Sequence, residues 1–263
     1  MNYRSIVVHL DTGEGSHPRF EFALQLAKES GAHLTGVFAV SASGPASFYV
    51  LDGSAEYDHA HYQVRRERRA ALEQLFRAGL ENADVAGDWI ATEGYAGPAV
   101  LRHARCADLI VAGQDDPDDP ESHVAGHFQA NLIMSSGRPV LLHPYAGTFS
   151  PVSAQVMVAW DGSREATRAI NDALPLLRRA KKTTVVTVRA PETTLADHPI
   201  AEQDIAAMIA RHGVQVDMAE CVLADSMSIG DALLSLACDL NAGLIVMGAY
   251  GHARWQELIL GGA

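Results

Sequence analysis

The sequence has few cysteines, no long apolar run and no excess of basic residues. Its three cysteines (Cys106, Cys221 and Cys238) form no CxxC pair, which argues against a disulfide framework or a thiolate metal site. No apolar stretch approaches the roughly 20 residues that span a bilayer, and the first residues show no signal-peptide pattern. The 20 basic and 32 acidic residues give a formal net charge of −12, which disfavours nucleic-acid binding. We expect a soluble, cytoplasmic protein with no membrane or nucleic-acid partner.

Signatures of covalent and metal-dependent catalysis are also missing from the sequence. It contains no Gly-x-Ser-x-Gly elbow, no His-Glu-x-x-His motif and no Walker lysine loop. His59 and His61 lie two residues apart in a helical pattern, so they point to different faces and are better read as an exposed helix start than as metal ligands. The sequence therefore predicts no catalytic residue and no metal site made of protein ligands.

An internal repeat organises the chain. Residues 5–11 and 155–161 are both short β-rich runs that end in Asp, and each is followed by a glycine-containing turn and an amphipathic helix. Residues 107–113 and 242–248 form a second matching pair of apolar runs. Continuous apolar strands are typical of parallel sheets that are covered by helices on both faces. The fold class is thus predicted to be α/β, with two tandem doubly wound parallel-sheet domains.

The two predicted domains span residues 1–146 and 152–263, and the turn-rich segment 144–151 links them. The first contains a fifth strand at 138–143. The second stops at Gly262-Ala263, partway through its fourth helix. We therefore expect the second domain to be C-terminally incomplete, which leaves its assembly open.

The most informative stretch follows the last strand of the second half. It reads Gly-x2-Gly-x9-Gly, with glycines at Gly248, Gly251 and Gly261. Glycines let the backbone turn sharply and approach a ligand, so that main-chain N–H groups can hold phosphate oxygens. Such glycines also occur in plain tight turns. Asp161, which ends the first strand of this half, can equally cap the helix that follows it.

This pattern resembles the ATP-binding branch of the universal stress protein family, whose motif is Gly-x2-Gly-x9-Gly-(Ser/Thr). The resemblance covers nearly the whole chain as two copies. It implies an adenine nucleotide alpha hydrolase-like strand order, 3-2-1-4-5, with ATP and Mg²⁺ bound across the ends of strands one and four. It further implies that Asp161 approaches the ribose or a metal-bridged phosphate and that Val188 lies against the adenine. The residues implied to line the phosphates are Gly248, Gly251, His252, Gly261 and Gly262.

One departure from the family motif concerns the residue after the third glycine. Gly262 stands where the family has Ser or Thr. This removes a hydroxyl contact to phosphate and keeps the backbone amide.

The first half lacks the nucleotide motif. Gly113 is followed by an acidic loop in which residues 115–121 hold five carboxylates and two prolines. The carboxylates would repel a triphosphate, and the prolines remove amide donors. The second glycine of the motif is absent, although Asp11 remains at the end of the first strand. We predict that this half is a structural or partner-facing copy.

The leading hypothesis is a cytoplasmic stress-response protein that binds ATP in its second domain and regulates partners through nucleotide-dependent interactions. Two alternatives stay open: a slow ATPase that uses the same fold, and a nucleotide-free dimeric adaptor. The resemblance also implies pairing of the two repeats within one chain, or a homo-oligomer. Residues 139–143 are the natural pairing edge of the first repeat.

Overall fold

The computed structural model describes residues 2–40, 54–92, 96–114, 116, 118, 127–151, 153–189, 202–223 and 227–249. The chain divides into two compact units, Met1–Pro151 and Val152–Ala263. Each unit is built on its own parallel sheet. No helix in the described ranges is long and apolar enough to cross a membrane.

The first unit alternates strands and helices. Its elements are β1 (Ser5–Leu10), α1 (Ser16–Ser30), β2 (His33–Ala39), α2 (Ser54–Ala83), β3 (Gly87–Thr92), α3 (Ala96–Ala104), β4 (Leu109–Gly113), α4 (Phe128–Ser136) and β5 (Val140–His143). All pairs are parallel, and the strand order is β3-β2-β1-β4-β5.

Helices cover both faces of this first sheet. The rings of Phe20 on α1 and Phe76 on α2 lie 5.0 Å apart on one face. On the other face, α3 and α4 contribute Val100 and Leu132 to a core that includes Val7 of β1. The strand β1 is the centre of the sheet, and its residues beyond Ser5 are buried.

The second unit repeats this arrangement with the elements that are described. These are β6 (Gln155–Trp160), α5 (Arg164–Leu177), β7 (Lys182–Arg189), α6 (Glu202–Arg211), β8 (Val216–Val222), α7 (Ile229–Asp239) and β9 (Leu244–Val246). The order β8-β7-β6-β9 matches the order of the first four strands of the first unit. The predicted α/β class with two doubly wound parallel sheets is confirmed.

The two central strand pairs share one register. Residues 6–8 of β1 face residues 109–111 of β4, and residues 156–158 of β6 face residues 244–246 of β9. The helices that follow β1 and β6 also correspond, since Phe20 and Ile170 are buried at matching positions. On this alignment Asp11 corresponds to Asp161, and Gly113 corresponds to Gly248.

Candidate functional site

The candidate site lies where the two central strands of each sheet end. In open parallel sheets, ligands bind at the carboxyl ends of neighbouring strands whose connections run in opposite directions. In the first unit those strands are β1 and β4, and in the second they are β6 and β9. The backbone follows the same course around the two crevices, but the side chains that line them differ.

An arginine fills the crevice of the first unit. Arg19 of α1 is only 4% exposed. Its Nε donates to the backbone oxygen of His9 over 2.7 Å, and its Nη2 donates to Oδ2 of Asp11 over 2.6 Å. A Cβ on Gly113 would overlap Nη1 of Arg19. The guanidinium therefore lies across the ends of both β1 and β4.

Asp11 is held as a charged carboxylate by these contacts. Its Oδ1 accepts hydrogen bonds from the backbone N–H of Gly13 and from Oγ of Ser16, both over 2.8 Å. Burial alone would raise the pKa of this carboxyl. The Arg19 guanidinium and the hydrogen-bond donors outweigh that effect and hold the pKa of Asp11 below its ordinary value.

Two buried histidines complete the polar cluster of the first unit. Burial lowers the pKa of His9 to about 4, and the nearby Arg19 adds to this shift. Burial, followed by the charge of Arg19, also lowers the pKa of His143. The His9 ring lies 4.7 Å from the ring of Phe128. These groups line a residual cavity of about 20 Å³, which is room for about one water molecule.

In the second unit, Asp161 makes the same hydrogen-bonded turn as Asp11, but its side chain is less buried. Its Oδ1 accepts from the backbone N–H of Ser163 over 2.9 Å, as Asp11 accepts from the residue two positions further along the chain. Asp161 is half-buried. Ser163, rather than Asp161, caps α5, since its Oγ accepts from the backbone N–H of Ala166 over 3.0 Å.

Two alanines replace the large side chains of the first crevice. The strand register places Ala159 at the position of His9, and the matching burial of Phe20 and Ile170 places Ala169 at the position of Arg19. Ala159 is 3% exposed and packs beneath α7. A methyl group is far shorter than a guanidinium side chain, so neither alanine can bridge the ends of β6 and β9.

The segment that follows β9 lies against the first turn of α5. A Cβ on Gly248 would come within 2.6 Å of the backbone nitrogen of Ala166. Gly248 is therefore needed for packing as well as for any ligand contact. Val188, which we predict to contact adenine, lies on β7 and is partly buried against the core beneath α7.

The rest of the predicted phosphate loop lies outside the described residues. This applies to Gly251, His252, Gly261 and Gly262, and to most of the acidic loop after Gly113. The side chains of His59 and His61 lie outside them too. Within the described ranges, no cluster of three or more His, Cys, Asp or Glu side chains is arranged to hold a metal ion.

Sequence reasoning missed the most enclosed part of the first crevice. Arg19 and His9 received no role from the sequence, although His9 interrupts the apolar run of β1. A polar residue within a buried strand signals a hydrogen-bond partner, because a buried polar group is costly without one. Arg19 stands among the mixed residues of an amphipathic helix and carries no such signal.

The chain matches the model of the universal stress protein family over residues 2–144. This match spans more than half of the chain. The chain belongs to the universal stress protein family. The matched residues cover most of the first unit, whose strand order is the one expected from the resemblance. A comparison with curated proteins found no match for this universal stress protein.

Solved structures resemble this universal stress protein over both units. A universal stress protein from Archaeoglobus fulgidus DSM 4304 is 18% identical, with a TM-score of 0.68, and the match covers 98% of this chain and 89% of that one. A protein from Pseudomonas aeruginosa UCBPP-PA14 described as belonging to the same family is 17% identical, with a TM-score of 0.59, over 98% and 87% of the two chains. At these identities the likeness shows the fold alone.

A third match concerns a bound nucleotide in another protein. A universal stress protein solved in complex with cAMP is 22% identical and has a TM-score of 0.34. The match covers 54% of this chain and 97% of that one. The ligand is a property of that protein.

Proposed function

We propose that the second unit is a second domain of the same family and that it binds an adenine nucleotide, ATP with Mg²⁺. Nucleotide occupancy would change the surface that the second unit offers to a partner or a second copy of the chain. The protein would thus regulate by binding rather than by turnover. One observation carries the proposal. At the positions where the first crevice has Arg19 and His9, the second has Ala169 and Ala159.

The residues around the second crevice suit a nucleotide and its metal. Asp161 supplies a carboxylate at the end of β6, and hard cations such as Mg²⁺ prefer carboxylate oxygens. The N-terminus of α5 points its positive dipole end at the same crevice, which favours phosphate. Arg164, at the start of α5, is exposed and cationic. The donor set therefore fits a magnesium nucleotide, in which the phosphates supply most of the metal's ligands.

The glycines of the sequence motif would hold the phosphates. Gly248 lies two residues after β9 and beside the first turn of α5, so the chain that follows it starts at the mouth of the crevice. The amides of Gly251, Gly261 and Gly262 are the proposed phosphate donors, with His252 next to them. Val188, on the strand beside β6, is the proposed neighbour of the adenine, and Asp161 that of the ribose or the metal.

Equilibrium titration with ATP and MgCl₂ tests the proposal. The expected result is saturable binding of one nucleotide per chain, accompanied by adenine nucleotide released on denaturation of the freshly purified protein. Steady-state phosphate release above about one per minute would instead support an enzyme, since typical enzymes turn over faster than that. No binding at millimolar ATP would contradict the proposal and leave the adaptor hypothesis.

A further inference from the structure

Arg19 occupies the first crevice in the manner of a bound ligand. It comes from α1 and not from either strand, yet it contacts the ends of both β1 and β4. Three of its donor contacts are to groups of the crevice: the backbone oxygen of His9, the carboxylate of Asp11 and Oγ of Ser16. A buried charge is tolerated when a partner of opposite charge and further hydrogen bonds compensate for lost hydration. The Arg19–Asp11 pair meets both conditions.

We propose that Arg19 is an internal ligand of the first unit and the residue that decides which of the two crevices accepts a nucleotide. Its guanidinium fills the space at the strand ends and neutralises Asp11, the carboxylate that corresponds to Asp161. In the second unit the matching residue is Ala169, so Asp161 receives no guanidinium from that helix position. The choice between crevices rests on the function proposed above, whereas the occupancy of the first crevice does not.

This assignment explains why one chain would bind one nucleotide rather than two. The sequence after Gly113 is rich in carboxylates, which disfavour phosphate, and Arg19 fills the crevice itself. The first unit then keeps the same state with or without nucleotide in solution.

To test whether Arg19 occupies the first crevice as a ligand, its guanidinium is removed by mutation and free guanidinium ion is supplied in solution. The Trp160→Phe, Trp255→Phe background leaves Trp89, which contacts Phe76 in the first unit, as the sole tryptophan reporter. In that background Arg19→Ala should lower the melting temperature of the first unit by about 10 °C, because it leaves Asp11 buried without its partner.

Guanidinium at about 10 mM, far below denaturing concentrations, should restore about 4 °C if it binds the vacated site with a Kd near 1 mM. The melting temperature of the parent protein should not change in the same solution. Arg77→Ala is the matched control, because Arg77 is 64% exposed and forms a surface ion pair with Glu73. It should change the melting temperature little and show no rescue.

A second variant keeps the test decisive if Arg19→Ala does not fold alone. The yield of refolded Arg19→Ala should then rise with guanidinium concentration. The double variant Arg19→Met, Asp11→Asn removes both charges and retains bulk, so guanidinium should not stabilise it. Unaltered stability of Arg19→Ala, or an equal response of Arg19→Ala and the double variant, would overturn the assignment.

Transfer of the arginine to the second unit tests the choice between crevices. Ala169→Arg should reduce ATP affinity at least 100-fold. Asn171→Arg, which adds the same charge at an exposed position of α5, should retain binding. Equal affinities for Ala169→Arg and the parent protein, or equal losses in both variants, would overturn the specificity role. If the parent protein binds no nucleotide, the proposed function and this role fail together, and the guanidinium experiment alone decides whether Arg19 is an internal ligand.

Discussion

Gly248 and Ala166 approach each other so closely that a single methyl group on Gly248 would lie 2.6 Å from the nitrogen of Ala166. The contact joins the segment that follows β9 to the first turn of α5. In the first unit the corresponding glycine, Gly113, faces the guanidinium of Arg19 instead. The same backbone position thus packs against main chain in one unit and against a charged side chain in the other.

Gly248→Ala should destabilise the second unit. The added methyl has to displace the backbone of α5, and overpacking of this kind costs about 1–3 kcal/mol. Urea unfolding followed by Trp160 fluorescence, in a Trp89→Phe, Trp255→Phe background, measures the effect. Gly97→Ala in the first unit, followed by Trp89 fluorescence in the Trp160→Phe, Trp255→Phe background, is the control, because a Cβ there meets nothing within 4 Å. A stability of Gly248→Ala equal to that of the parent protein would show that this approach is not maintained in solution.

The stability of the first unit should fall as the pH drops from 6.5 towards 4. Burial lowers the pKa of His9 to about 4 in the folded protein, from 6.5 in the unfolded chain. Between these values the unfolded state binds more protons, so acid favours unfolding by up to about 3 kcal/mol. His143 is shifted in the same direction. Urea unfolding at several pH values, followed by Trp89 fluorescence in the Trp160→Phe, Trp255→Phe background, measures the slope of stability against pH.

His9→Gln should remove most of that pH dependence, since glutamine does not titrate. Its amide can still donate to the backbone oxygen of Ala39, which the His9 ring contacts over 2.9 Å. His17→Gln is the control, because His17 is 54% exposed on α1. A slope in His9→Gln as steep as in the parent protein would rule out His9 as its source.

Gly251→Val should abolish ATP binding while leaving the second unit folded. A branched side chain at this position would take the space proposed for the phosphates. Calorimetric titration measures the affinity, and unfolding of the Trp160 reporter protein checks the fold. Gly97→Val, in the first unit, should bind as the parent protein does. Unchanged affinity in Gly251→Val would mean that the loop is only a turn.

The sequence predicted the fold because its signals are local and repeated. The apolar runs at residues 107–113 and 242–248 each give a strand of a parallel sheet. Parallel strands connected by helices follow few topologies. The capping role of Ser163 was also predictable, since serine is favoured before a helix. These features depend on neighbours in the chain.

The contents of the first crevice were not predictable in the same way. Arg19 reads as an ordinary charged residue of an amphipathic helix until β4 is placed beside β1. Gly113, which is distant from Arg19 in the chain, makes room for the guanidinium. The sequence attributes the loss of the first site to the acidic loop. The structure adds a second cause, the buried cation of Arg19, which no local sequence pattern predicts.

Hydrogen exchange of the whole chain, measured with and without ATP and MgCl₂, shows which crevice holds the nucleotide. Bound nucleotide slows exchange where backbone amides become ordered or covered. We predict protection in residues 161–170 and 246–262 and no change in residues 5–20. Protection of residues 5–20, or no protection in the second unit at saturating ATP, would contradict the assignment of the nucleotide to the crevice beside Asp161.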